Sequence, residues 1–201
     1  MMKQVRPKKN LGQHFLTDLS IAKRIADTVD ACPDIPVLEV GPGMGVMTQY
    51  IVEKPRPFKV VEIDRESVEY LNEHFPKLRE NILGEDFLRM DLREVFDGQQ
   101  FVLTGNYPYD ISSQIFFKML DNRDLIPCCT GMIQREVALR MASQPGNKQY
   151  GILSVLLTKV LGSCLSLNLA TKGCWVSGSL DLNPSPTCFL RCSCGQVTSF
   201  S

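Results

Sequence analysis

Gly105-Asn106-Tyr107-Pro108-Tyr109 is the stretch whose residue types could do chemistry. It follows the apolar run Phe101-Val102-Leu103, which reads as a buried strand. Asn followed two residues later by Pro predicts an abrupt turn off that strand's carboxyl end. In an open α/β sheet, that edge is where ligands bind. The Asn106 amide oxygen and a backbone carbonyl of the turn can accept hydrogen bonds from an exocyclic amine, and the rings of Tyr107 and Tyr109 can stack on a base.

Three further stretches carry chemistry of the same kind. Val37-Leu38-Glu39-Val40 predicts a strand, followed by Gly41-Pro42-Gly43-Met44-Gly45 and an amphipathic segment through Val52. Glycines at Gly41 and Gly43 let backbone approach a ligand and present amides at a helix start. The spacing is not that of a dinucleotide fingerprint, and no Walker lysine follows. The Glu39 carboxylate would repel a pyrophosphate but suits a cationic group. Phe58 to Ile63 predicts a second strand in which Glu62 can bond both hydroxyls of a ribose. Asn81-Ile82-Leu83 predicts a third strand, leading to Gly84-Glu85-Asp86-Phe87. There Asp86 could bond an adenine amine while Phe87 packs on the ring face.

The elements that must position these residues alternate regularly. Thr17 reads as the N-cap of a helix with Ile21, Ala22, Ile25, Ala26 and Val29 on one face. Asp64 starts a helix that runs to Phe75, Asp91 to Phe96 reads as a short helix, and Asp110 or Ser112 caps the next one. Cys128 to Ile133 reads as a fifth strand, and Tyr150 to Leu157 as a sixth apolar run of strand type. The expected fold is therefore α/β: a doubly wound, mostly parallel sheet with helices on both faces.

Composition narrows the class. Formal net charge is +0, so no global field announces nucleic acid, but Lys3, Arg6, Lys8 and Lys9 all precede the first acid, Asp18. A short basic arm suits phosphate contacts. No apolar run reaches membrane-spanning length, and no exported leader is apparent. Of eight cysteines, only Cys32, Cys128 and Cys129 fall within residues 1–158, which reads as a reduced, cytoplasmic chain.

With these residues in view, the chain resembles the S-adenosylmethionine-dependent methyltransferases. More narrowly, it resembles the ribosomal RNA adenine N6-dimethyltransferases of the bacterial KsgA type, which act on the small subunit. The motifs that carry the resemblance are Lys9 to Leu16, Glu39 to Gly45, Val61 to Asp64, Gly84 to Phe87, Asn106 to Tyr109, Gln134 to Arg140 and Tyr150 to Val155. The family more often has Leu where Tyr107 stands. The resemblance implies a Rossmann-like core with S-adenosylmethionine as methyl donor and no metal. Gln13, His14 and Leu16 would close over the donor's methionine part, with Gly41, Gly43 and Glu39 beside it. Glu62 would hold the ribose hydroxyls, and Asp86 and Phe87 the adenine. Asn106, which the resemblance also places among the cofactor-binding residues, and the Tyr107 carbonyl would hold the target amine, with Pro108 fixing the turn and Tyr109 stacked on the base. The implied partner is ribosomal RNA within the immature small subunit, the implied product is two adjacent dimethylated adenines near the RNA's 3′ end, and the implied state is a monomer. The related Erm-type enzymes, which modify large-subunit RNA, are the alternative within the class. A ribosome-assembly module that binds without catalysis is the alternative outside it.

From Lys159 the text changes. Residues 159–201 hold four charged residues, Lys159, Lys172, Asp181 and Arg191, although such residues make up 22% of the chain. Serine and cysteine replace them, no period persists, and the family's closing strands and C-terminal helical domain are not evident. The domain reading is a basic arm over 1–16, a methyltransferase core over 17–158 and an anomalous tail over 159–201. It predicts an unpaired sheet edge and an incomplete target pocket. A zinc site at Cys174, Cys188, Cys192 and Cys194 is disfavoured by its unusual spacing.

Overall fold

The computed structural model describes residues 16, 18–143, 145–152, 154–155, 169–171, 174–176 and 187–193, with side chains described as far as 155. Five parallel strands form its centre. They are β1 (Val37–Val40), β2 (Phe58–Val61), β3 (Ile82–Leu83), β4 (Val102–Gly105) and β5 (Cys128–Gln134). They lie in the order β3-β2-β1-β4-β5. The helices between them are α1 (Leu19–Asp27), α2 (Thr48–Ile51), α3 (Arg65–His74), α4 (Ser112–Asp121) and α5 (Arg135–Ala142).

Side-chain alternation along the strands explains the two layers of helix. On β1, Val37 joins a cluster with Ile25 and Ala26 of α1, Ile51 of α2 and Leu71 of α3. Its neighbour Leu38 joins the opposite cluster, with Ile115, Phe116 and Met119 of α4 and Val137 and Met141 of α5. Successive residues of a strand point to opposite faces, so one short apolar strand binds both layers. Burying each such side chain contributes about 1.5–3 kcal/mol.

Register sets up the site. Val40 of β1 pairs with Val61 of β2 and with Gly105 of β4, and Val61 pairs with Leu83 of β3. The next residue on each strand is therefore Gly41, Glu62, Gly84 and Asn106, all emerging at one level. The chain reverses its direction of winding between β1 and β4, and the crevice beyond that point is where such sheets bind ligands.

Several local expectations need correction. The N-cap of α1 is Asp18, whose carboxylate accepts from the backbone N–H of Ser20 at 2.9 Å and of Ile21 at 3.4 Å; Thr17 lies outside the described residues. Residues 92–98 form consecutive turns instead of a helix. The start of α4 carries no side-chain cap; Ser112 Oγ instead donates to the Pro108 carbonyl at 2.6 Å. Ile152, Ser154 and Val155 are helical, not extended, and the Val155 N–H bonds the Gly151 carbonyl at 3.0 Å. Short apolar runs do not separate buried helix from buried strand by period alone.

The edge of β5 is also not left open. Strands β6 (Leu169–Thr171), β7 (Cys174–Val176) and β8 (Thr187–Ser193) extend the sheet. β8 runs antiparallel to β5 from Cys128↔Ser193 to Gln134↔Thr187, and β6 then β7 follow outward. The pairing uses backbone groups, so it needs no side-chain period of the kind the tail lacks. Cys174, Cys188, Cys192 and Cys194, the disfavoured zinc set, lie outside the residues whose side chains are described.

Gly45 supplies a test of the turn after β1. Its φ is +76°, and a Cβ there would lie 2.4 Å from Phe75 Cε2. Gly45→Ala combines an unfavourable backbone conformation with overpacking. It is expected to lower unfolding free energy by about 2–4 kcal/mol in a urea titration.

Candidate functional site

One cavity of about 230 Å³ opens at the carboxyl ends of β1 to β4, near the lower end of small-molecule sites. Its lining includes Leu16, Glu39, Gly41, Gly43, Glu62, Asp86, Phe87, Asn106, Tyr107, Pro108 and Tyr109. Eleven of the thirteen residues expected from sequence thus meet at one crevice; Gln13 and His14 lie outside the described residues. The two turns are close: a Cβ on Gly41 would be 3.7 Å from Pro108 Cγ.

Glu62 organises one side of the cavity. One carboxylate oxygen accepts the Gly43 N–H at 3.0 Å, and the other accepts the Asp64 N–H at 2.9 Å. The glycine turn and the β2 acid are thus a single unit. The expected amides at a helix start are corrected accordingly: α2 begins only at Thr48, and the Gly43 amide is directed at Glu62. Each carboxylate oxygen keeps a further lone pair. Burial raises the Glu62 pKa, opposed by these two backbone donors.

Glu39 is 2% exposed and accepts from Thr48 Oγ1 at 2.8 Å. Burial, with a smaller contribution from the Glu62 charge, raises its pKa from the ordinary 4.5 to about 8. Near neutrality it therefore holds its proton, and a cation brought beside it would favour ionisation. The sign for stability follows. Between about pH 4.5 and 8 the unfolded chain has released this proton and the folded chain has not, so stability falls as pH rises and levels off above that window. Glu39→Gln keeps the neutral shape and an acceptor for Thr48. It is expected to flatten the fall in Tm between about pH 5 and 8, measured by thermal denaturation across that range.

The adenine half differs from expectation in two respects. Asp86 Oδ1 accepts the Leu88 N–H at 2.9 Å, and Oδ2 lies 3.4 Å from Nε of the 88% exposed Arg89 side chain. A surface pair of that kind is weak enough for a ligand amine to replace it. Phe87 is 4% exposed, belongs to the core, and has Lys118 Nζ 5.4 Å from its ring centroid. Its face is therefore not the open packing surface that the sequence suggests. Ile63 is the residue that was missed: it lines the cavity and is 53% exposed immediately after Glu62. An apolar residue directly following a strand-end acid is the signal that could have found it.

At the turn after β4, Asn106 and Tyr109 are half-buried and line the cavity. Asn106 forms an isolated parallel bridge with Met132, and the Tyr107 N–H donates to the Met132 carbonyl at 3.0 Å. The expected Tyr107 ring at the site is corrected. That ring is fully buried, edge-on to Phe116 at 5.4 Å, so only its backbone can serve a ligand. Tyr109 begins a 3-10 turn over Tyr109–Ile111, and burial, then the Glu136 charge, raises its phenol pKa.

Residues 4–163 match the family described as ribosomal RNA adenine dimethylase. The chain belongs to that family. A relative within it is the ribosomal RNA small subunit methyltransferase A of Phocaeicola vulgatus, 71% identical over 153 residues that cover 76% of this chain and 55% of that protein. The chain thus spans little more than half the length of the curated relatives it matches. Among solved structures, a dimethyladenosine transferase from Plasmodium falciparum is 26% identical, with a TM-score of 0.63 over 90% of this chain and 63% of that one. The 23S rRNA methyltransferase ErmE shares the fold, with a TM-score of 0.65 at 24% identity, over 91% of this chain and 70% of that one. Among the described residues no helix is long and apolar enough to cross a membrane.

Proposed function

We propose that this chain transfers methyl groups from S-adenosylmethionine to N6 of adenine in small-subunit ribosomal RNA, two methyls per base, on two adjacent bases near the 3′ end. The observation that carries the reading is the convergence on one crevice of Glu62 and Asn106, at matched strand register, and of Asp86, two residues beyond that level. Family membership supports adenine as the target, and the names of the similar bacterial proteins support the small subunit. On this reading the chain works as a cytoplasmic monomer on the immature subunit.

The cavity fits the donor. Glu62 has lone pairs left for two ribose hydroxyls, Asp86 offers an acceptor to the adenine amine, and Ile63 offers an apolar surface to the ring. The neutral Glu39 carboxyl and the Gly41–Gly43 backbone flank the space for a cationic methionine part. When bound, S-adenosylmethionine supplies a methyl already activated by its sulfonium.

The protein's own work is placement and charge. The lone pair of an adenine amino nitrogen is conjugated into the ring and is a poor nucleophile. Two acceptors on its protons, Asn106 Oδ1 and the Tyr107 carbonyl, favour a tetrahedral nitrogen with the lone pair freed. They also stabilise the positive charge that grows on it. Pro108 limits the turn's freedom, which preserves in-line geometry. Tyr109 supplies a face for a base removed from its stack. The arm at Lys3, Arg6, Lys8 and Lys9 supplies phosphate contacts.

Incubation of the chain with methyl-labelled donor and with each ribosomal RNA separately tests the reading. Label in unmodified small-subunit RNA, and none in large-subunit RNA, is expected. The reverse distribution would favour the Erm-type alternative, and ribosome binding without label would favour a non-catalytic assembly role.

A further inference from the structure

The pairing of β4 with β5 has a gap. Val102 pairs with Cys128 and Leu103 with Cys129; the same register resumes only at Asn106 with Met132. Between them lie Thr104 and Gly105 on one strand and Thr130 and Gly131 on the other. The Tyr107 side chain folds back into this gap. Its phenol donates to the Thr130 carbonyl at 2.8 Å, with the Leu103 carbonyl at 3.4 Å as a longer second acceptor and Cys129 Sγ at 3.0 Å.

The two glycines make the gap passable. Gly131 has φ +144°, and a Cβ there would lie 2.7 Å from Tyr107 Cε2 and 2.3 Å from the Gly105 carbonyl. A Cβ on Gly105 would lie 2.6 Å from the Val40 carbonyl and 3.4 Å from the Tyr107 ring. A backbone carbonyl bars a Cβ at both positions, and at Gly131 the Tyr107 ring bars it as well. Burial holds the phenol pKa well above its ordinary range, so it remains a donor at any working pH.

We propose that the Tyr107 phenol, seated against Gly131 and bonded to the Thr130 carbonyl, is a positioning clamp that holds the Asn106–Tyr107 acceptors against the target amine. This rests on the function proposed above. One residue would then carry two roles: its main-chain carbonyl would accept from the target amine, and its side chain ties the residue to β5. The backbone bond from the Tyr107 N–H to Met132 fixes one end of the residue, and the phenol fixes the other. With its N–H and its phenol both tied to β5, the residue has little freedom to follow a misplaced base, and close placement is what a transfer in line requires.

Tyr107→Phe keeps the ring and removes only the bond. It is expected to lower kcat for RNA methylation about 10-fold with the donor's Kd unchanged. Amide hydrogen exchange across residues 104–110, followed by mass spectrometry, should be faster than in the parent chain. Phe116→Leu is the control, because it loosens packing beside the same ring without touching the phenol bond. It should retain most of the parent kcat. Unchanged kcat and unchanged exchange in Tyr107→Phe would overturn the clamp, as would an equal loss of kcat in Phe116→Leu. If the parent chain itself methylates no RNA, the functional reading fails, and the exchange comparison still decides whether the clamp exists.

Discussion

Asn106→Ala is expected to reduce methyl transfer to RNA about 10²–10³-fold while leaving affinity for S-adenosylmethionine nearly unchanged. The selectivity follows from where Asn106 stands. It emerges from β4, one residue past Gly105, on the opposite side of β1 from Glu62 and β2. Its amide oxygen would accept from the target amine, and that contact strengthens as positive charge develops on the nitrogen. Losing an interaction that is stronger in the transition state lowers kcat, not ground-state binding. Single-turnover methylation alongside calorimetric donor titration separates the two effects. A variant that kept the parent rate would remove Asn106 from the chemistry. A variant that lost donor binding as well would make it a structural residue.

Glu62→Ala should have the converse effect, weakening donor binding about 100-fold. Two charge-assisted bonds to ribose hydroxyls, each contributing about 1.5 kcal/mol or more, account for a factor of that size. The carboxylate also secures the backbone amides of Gly43 and Asp64, so its removal releases the glycine turn together with the ribose site. Glu62→Gln is expected to rescue little. A glutamine has one acceptor oxygen, and its NH₂ would have to face one of the two backbone N–H groups that Glu62 now receives. Calorimetry on both variants checks this. Parent-like affinity in Glu62→Gln would mean that the two amide contacts do not organise the turn.

Much of the site could be read from the chain because each strand ends in a polar residue that the strand itself does not need. Glu39, Glu62, Asp86 and Asn106 interrupt or follow apolar runs, and a parallel sheet brings such ends together. What could not be read depends on where side chains point after a sharp turn. Tyr107 lies within the Gly105–Tyr109 stretch, yet its ring turns into the gap between β4 and β5, where Gly131 leaves room for it. Phe87 follows Asp86, yet the core takes its ring and leaves Ile63 as the exposed apolar surface. At Ile152, Ser154 and Val155 the apolar run is too short to set a period, so it does not tell helix from strand. The added strand β8 was missed for a different reason. Its pairing with β5 runs through backbone groups, and residues 159–201 carry no pattern that announces it.

Nucleoside analysis of the RNA product tests the central claim most directly. Unmodified small-subunit RNA would be incubated with the chain and S-adenosylmethionine, digested to nucleosides and resolved by mass. N6,N6-dimethyladenosine is the predicted product, absent when Asn106→Ala replaces the parent. An RNA that returns only unmodified adenosine, or methyl groups at any atom other than N6, would contradict the account.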